Sequence, residues 1–584
     1  MEYLQHLQYQ ATSQFAKLVT HTFFRQIQVI GAQNIPENEP VIICSNHNNQ
    51  FMDGLLIASH LNREIKFIVA AKSMRRPIIG QFSRALGGIP VERAQDLAFQ
   101  GKGVILKIAS TFIEGSQTQF LKQCEVGSTL TIPQIEDEFL VTEIISNQRI
   151  NIQRKEKYEN PIQISKAYKI TPKLDQTQMY DSVWKALNEN QCIGIFPEGG
   201  SHDRTDLLPL KAGVCIMALG AMQKYKKHVK IVPCGLNYFS GHKFRSKVVI
   251  EFGQAYEIPQ EFVEIYSQSR RQAISKLLKE IENRLRDVTI TVPTYRELNS
   301  IFMARRIYLP ADRDYTPKEE LQLNRQFAQG YIKKIEDPRV KEMLEKIRQY
   351  STQLKNLGTQ DYEIKKYNSS LKIDYKSLAS LIIKTLFSMG FSFPAIILNS
   401  PIAVILRYLS ERERVKCQKS SKVKVLGKDV VASHQVMCAF VILPIANALY
   451  TFIFRYLLKN KCKYFKNKSL KLVTALFFLV YPIYTFIMIN AADQISLNIR
   501  AIKAKFLFIT RKEQLKKLRE YREQIYIEIR DFIKEQSRSE LKSSGSLLSQ
   551  SDLHSQQQEI SIGQKPNQFD HVDGFFDVLE EIGC

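Results

Sequence analysis

A histidine and an aspartate lie in one polar run, Ser45-Asn46-His47-Asn48-Asn49-Gln50-Phe51-Met52-Asp53, between a short apolar strand-like segment and a stretch with helical spacing. Held in contact, such a pair forms a dyad in which the carboxylate orients the imidazole and stabilises its charged form, while the other ring nitrogen takes a proton. The chemistry that follows is activation of a hydroxyl. A His and an Asp six apart are common, and alone they read more readily as a helix cap beside a surface carboxylate.

Three further segments end strands with residues able to serve such a site: Gly87-Gly88-Ile89-Pro90-Val91-Glu92-Arg93, Phe196-Pro197-Glu198-Gly199-Gly200-Ser201-His202-Asp203-Arg204, and Ile231-Val232-Pro233-Cys234-Gly235. In isolation Arg93 is a surface arginine, and Glu198, Gly199, Gly200 and Pro233 are turn residues. The nine cysteines are scattered, with no C-x-x-C pair and no Cys/His cluster at zinc spacing, so reduced thiols and no structural metal are expected. Cys44, Cys192, Cys215 and Cys234 sit in apolar contexts and read as small core residues rather than nucleophiles.

The elements that must position these groups alternate. Residues 1–24 have helical spacing without the pattern of a secretory signal, so the chain is expected to begin on the cytosolic side. Strand patterns at 26–30, 41–43, 65–70, 88–91, 192–196, 229–234 and 248–252 alternate with helical patterns at 51–59, 77–86 and 212–222, which predicts a layered α/β domain over 25–260. Residues 117–170 read as a small all-β insertion, 261–375 as charged helices packed by one face, and 496–535 as a further charged helix. From Gln536 the chain is Ser/Gln-rich and acidic, which predicts a largely disordered tail over 536–584, with 575–579 as a short docking helix.

Over 376–495 the chain changes class. Leu378–Leu406, Gln435–Phe454 and Leu472–Ala492 are each apolar over about the length that crosses a bilayer. The linker 407–429 holds eight basic and three acidic residues and 455–471 seven basic and none acidic, so both favour the cytosol. At least one apolar segment should then dip in and return, and 378–406, interrupted by Pro394, Asn399 and Pro401, is the expected hairpin. The formal charge is +24, from 82 Lys plus Arg against 58 Asp plus Glu, and much of it flanks these segments as a collar for an anionic bilayer. Nucleic acid is disfavoured as a partner, because the cations lie beside apolar runs rather than interleaved with aromatics.

In order and spacing the four strand-end segments resemble the blocks of the glycerolipid acyltransferase superfamily. The wording NHNNQFMDG, GGIPVERAQD, FPEGGSHDRTDLLPLKAGV and VPCGLNYF, with the later ARRIYLP, LNRQFAQGY and LKNLG, is similar to that of fungal-type glycerol-3-phosphate/dihydroxyacetone-phosphate acyltransferases of the endoplasmic reticulum. The resemblance implies an α/β glycerol-3-phosphate acyltransferase-like domain with membrane-spanning or re-entrant helices after it, a cytosolic active site, acyl-CoA as co-substrate and no cofactor. It implies His47 as base with Asp53 orienting it, Arg93 on the acceptor phosphate, Glu198, Gly199 and Gly200 at the acceptor, and Pro233 in acyl-CoA binding. Two departures stand out. Five residues rather than four separate His47 from Asp53, so the following helix must begin later or bulge, and Ser201 stands where the usual third block has an arginine, a charge that Arg204 or Lys211 is expected to supply. A lysophospholipid acceptor and a noncatalytic scaffold for anionic lipid are the rival readings.

Overall fold

Strands that are apolar throughout belong where both faces are covered, and Val41–Ser45 and Cys192–Ile195 are buried along their whole length. They lie at the middle of a sheet in the order Gln26–Ile30, Lys247–Phe252, Lys230–Tyr238, Val41–Ser45, Cys192–Ile195, Ile65–Ala70, Ile89–Val91, with Tyr256–Glu257 beside Lys230–Tyr238. Neighbours along this path are parallel except Lys230–Tyr238 against Lys247–Phe252. The computed structural model from which this description is taken describes residues 2–543, save 134, 136, 154–160, 310–314, 367–374, 422 and 462–466. One face of the sheet is covered by the helices Glu2–Phe23 and Phe51–His60, the other by Thr177–Asn188, Gly213–Tyr225 and Arg270–Val288. The α/β expectation holds, and most strand limits fall within a residue or two of those read from the pattern.

The β insertion is larger than its sequence signature. A second eight-stranded sheet, antiparallel throughout, runs from Phe99–Gln100 to Lys169–Thr171 around Ile105, Phe120, Phe139 and Tyr168. Its first strands precede the expected boundary at 117 because Val104–Ile108 and Phe112–Ser116 find partners in Ile162–Lys166 and Arg149–Gln153, pairings made across long sequence separations. Beyond the α/β sheet, Tyr295–Tyr308, Pro338–Leu357 and Lys512–Ser543 share a separate core. Arg522 and Tyr350 both bond the buried Asp361 there, each at 2.8 Å. The last of these helices continues past the expected boundary at 536, and the remainder of the expected tail, including 575–579, lies outside the described residues.

Three helices, Tyr375–Ser420, Val431–Lys461 and Asn467–Thr510, are long and apolar enough to cross a membrane. Their outer faces carry exposed large side chains such as Phe387, Val404 and Leu472, as a bilayer-facing surface requires. The hairpin expected inside 378–406 is not formed: the first apolar helix runs unbroken through Pro394 and Pro401. Pro401 leaves the carbonyl of Ile397 without its helical donor, and Ser400 Oγ donates to it instead at 3.2 Å. Tyr450 and Tyr484, from the other two apolar helices, donate to the carbonyls of Leu398 (2.6 Å) and Phe391 (2.8 Å). Neighbouring helices thus bond the carbonyls one residue beyond those that the prolines leave without a helical donor. At the end nearest the α/β domain, buried Arg245 pairs with Asp493 of the third apolar helix at 2.8 Å, bonds Asn490 and the carbonyls of His21 and Thr22, and so joins that helix to the end of the N-terminal one.

Candidate active site

His47 follows the C-terminal end of Val41–Ser45, the edge of a parallel sheet where α/β proteins place their ligands. The neighbouring strand Lys230–Tyr238 matches Ser45 with Cys234 and runs on to Tyr238, so its last residues overhang the turn after His47. On the other side, Cys192–Ile195 leads into Phe196, whose ring stacks on the His47 imidazole with centroids 4.2 Å apart and planes 13° apart.

His47 and Asp53 are in contact. The Nδ1–H of His47 donates to Asp53 Oδ2 at 2.8 Å. The same oxygen accepts from the Asn49 amide at 2.7 Å, and Oδ1 accepts from the Tyr238 hydroxyl at 2.5 Å. Asp53 is fully buried in the first turn of Phe51–His60, where the positive end of the helix favours a carboxylate. Burial, and then the neighbouring Asp53 charge, hold the Tyr238 phenol well above its ordinary value, so it stays a donor. With Nδ1 committed to Asp53, the proton-accepting position of His47 is Nε2, which has no partner among the described residues. The extra residue between His47 and Asp53 is absorbed at Gln50, whose φ of 44° and ψ of −123° suit a type II′ turn and a glycine. The helix therefore starts at Phe51 and the carboxylate reaches the ring.

Glu198 is brought to the dyad but faces the protein. Its Oε1 accepts from the backbone N–H of His47 at 2.9 Å, and its Oε2 accepts from the Leu208 amide at 2.8 Å and from His202. His202 Nδ1 accepts from the Arg204 amide at 3.1 Å, which leaves Nε2–H as the donor to Glu198. The His202 amide in turn donates to the His47 carbonyl at 3.0 Å. Glu198 thus ties the third block to the backbone of His47.

Arg93 and Lys211 converge on Gly199. Arg93 Nη1 donates to the Gly199 carbonyl at 3.3 Å, and the same guanidinium pairs with Asp96 at 2.6 Å. Gly199 has φ +73°, and a side chain there would stand 2.5 Å from Lys211 Nζ, so only glycine lets the lysine lie across the turn. Gly200 is adjacent and opens onto free space. Lys72, which the sequence pattern did not single out, shares Asp96 with Arg93, at 3.6 Å. Arg204 is not brought into this cluster: it is exposed, and its Nε donates to the carbonyl of Val423 at 2.8 Å. Pro233 lies inside its strand opposite Cys44, its carbonyl accepting from Gly253 at 2.8 Å, away from the dyad.

Sequence reasoning also missed Tyr238 and Phe196. Both stand at strand ends in the quoted blocks, and their positions there were the available signal. Cys44, Cys192, Cys215 and Cys234 are free and buried, and burial pushes the Cys192 and Cys215 thiols up to about 12, which leaves them without nucleophilic thiolate.

Two family models match the chain: Acyltransferase over residues 26–117 and 148–237, and Glycerol-3-phosphate acyltransferase 2 C-terminal domain over 300–538. An uncharacterized acyltransferase of Schizosaccharomyces pombe is 34% identical over 88% of this chain and 78% of its own length. Glycerol-3-phosphate O-acyltransferase 1 of Saccharomyces cerevisiae is 32% identical over 76% of this chain, which spans 60% of that protein's length. Glycerol-3-phosphate O-acyltransferase 2 of the same yeast is 31% identical over 79% of this chain and 67% of its own length.

Proposed function

We propose, since the chain belongs to the acyltransferase family of these fungal proteins, that it transfers an acyl group from acyl-CoA to the sn-1 hydroxyl of glycerol 3-phosphate. The observation that carries the reading is the His47–Asp53 dyad with Nε2 free, beside a cationic cluster of Arg93, Lys211 and Lys72. His47 Nε2 takes the hydroxyl proton as the oxygen attacks the thioester carbonyl, and Asp53 stabilises the imidazolium that forms. Collapse of the tetrahedral intermediate breaks the C–S bond, and the imidazolium returns its proton to the CoA sulfur. Lysophosphatidate and free CoA result, with no acyl-enzyme and no cofactor. Arg93 and Lys211 hold the acceptor phosphate, for which a planar guanidinium beside an ammonium is suited. Dihydroxyacetone phosphate, with the same phosphate and a primary hydroxyl, is the second acceptor of this reading. The enzyme sits in the endoplasmic reticulum membrane with its α/β domain in the cytosol, where both soluble substrates are, and its basic collar on anionic headgroups.

The test is CoA release from a long-chain acyl-CoA, followed with a thiol reagent, on purified full-length protein in lipid nanodiscs. Glycerol 3-phosphate, dihydroxyacetone phosphate and a lysophospholipid are compared as acceptors. Release with either of the first two, abolished in His47→Ala, is expected. Release with the lysophospholipid alone would refute the acceptor, and wild-type turnover in His47→Ala would refute the dyad.

A further inference from the structure

The turn that places Asp53 against His47 is strained, and its clamp comes from the far end of the chain. Gln50 holds a glycine-type conformation, which persists only where the surrounding structure over-determines it. The turn closes on itself through the Met52 amide and the Asn49 carbonyl, 3.1 Å apart. Onto these same two groups falls one side chain from the second apolar helix: Ser433 Oγ donates to Asn49 O at 2.7 Å and accepts from Met52 N at 3.1 Å.

Ser433 is itself firmly seated. Its neighbours Ala432 and Val436 belong to the hydrophobic core of the catalytic sheet. Two helical turns on from Ser433, Phe440 stacks on Phe15 and Phe82, the latter also touching Phe51 at the start of Phe51–His60. The linker that precedes it is gripped from the third sequence block: Asp203 accepts the amides of Val425, Leu426 and Lys428 at 2.8 to 3.0 Å, and Ser201 Oγ donates to Asp429 at 2.7 Å. That accounts for Ser201 where other third blocks carry arginine: it meets the membrane linker.

We infer that Ser433 is a positioning residue for acyl transfer, clamping the 49–52 turn so that a membrane helix sets the geometry of the His47–Asp53 dyad. The inference rests on the proposed transferase reading for its kinetic readout, and a structural readout accompanies it. Ser433→Ala in nanodiscs should lower kcat about tenfold with the KM for glycerol 3-phosphate within twofold, and Ser433→Thr should restore most of it. Gln50→Gly removes the strain that the clamp opposes, so it should cost little alone and recover at least a third of the lost kcat in the double variant. A general packing defect would not be rescued in this way. Hydrogen exchange of the amides over 46–56 should speed up in Ser433→Ala and return toward wild type in the double variant. Ser433→Ala with wild-type kcat and exchange, or a loss that neither Thr nor Gln50→Gly relieves, would overturn the inference. Wild-type protein inactive on every acceptor would overturn the transferase reading instead, leaving the exchange result to decide the clamp.

Discussion

Glu198 decides between two roles for the third block. If it held the acceptor, its loss would appear in KM; the geometry instead directs its loss into kcat. Both oxygens of the fully buried carboxylate are occupied by donors, the His47 amide on one and the Leu208 amide with His202 on the other. In Glu198→Gln one oxygen becomes an NH₂. His202 cannot switch tautomer to receive it, because its Nδ1 already accepts from Arg204, so the amide nitrogen turns to the His47 N–H, one donor facing another. A hydrogen bond to a charged group contributes about 1.5–3 kcal/mol. If that loss is expressed as displacement of His47 Nε2 from the hydroxyl whose proton it accepts, at 1.36 kcal/mol per decade kcat falls about 10- to 100-fold. The assay is steady-state CoA release at varied glycerol 3-phosphate, and the KM should move less than about threefold. A tenfold rise in KM with kcat intact would refute the argument and return Glu198 to the acceptor.

Arg93→Ala should do the opposite, raising the KM for glycerol 3-phosphate about tenfold or more with kcat within threefold, and Arg93→Lys should fall between because the ammonium keeps the charge but not the fork. An unchanged KM in the alanine variant removes Arg93 from the phosphate. His242 gives a pH dependence. Burial, then Lys428 and Lys243, hold its imidazole down at about 3 against an ordinary 6.5, with Asp203 opposing weakly. The unfolded chain therefore binds the proton first, and stability is lost as pH falls below 6.5, by about 2 kcal/mol between pH 7 and 5. His242→Gln should narrow the gap in Tm between those two pH values, and an unchanged gap would show that the acid sensitivity lies elsewhere.

Much of the fold and the dyad was readable because both are local. Strands such as Ile65–Ala70 announce themselves in a few residues, and His47 and Asp53 lie six apart. What escaped the sequence is what crosses it. The hydroxyl of Tyr238 reaches Asp53 only because the sheet order sets Lys230–Tyr238 beside Val41–Ser45. Glu198 reads as a substrate ligand until the backbone of His47 is found in its grasp. Pro394 and Pro401 signal a break, yet the helix runs on, with Ser400 serving the carbonyl that Pro401 frees and Tyr450 and Tyr484 bonding carbonyls beside it and beside that of Gly390. Arg204 carried the charge expected beside Gly199, yet its direction is set by a linker more than two hundred residues away.

The Arg245–Asp493 pair has a consequence for where the reaction happens. Asp493 is the first charge after the uncharged run that ends at Ala492, so the pair stands at the level where the third apolar helix leaves the hydrocarbon. Removing either partner by substitution would strand a buried charge at a cost of about 3–5 kcal/mol, and the intact pair fastens the α/β domain to the third apolar helix. The His47–Asp53 pair therefore stands at a fixed altitude, moored rather than tethered. In the proposed reaction, soluble reactants would travel to that height, and a product bearing one acyl chain would be released within reach of a single leaflet.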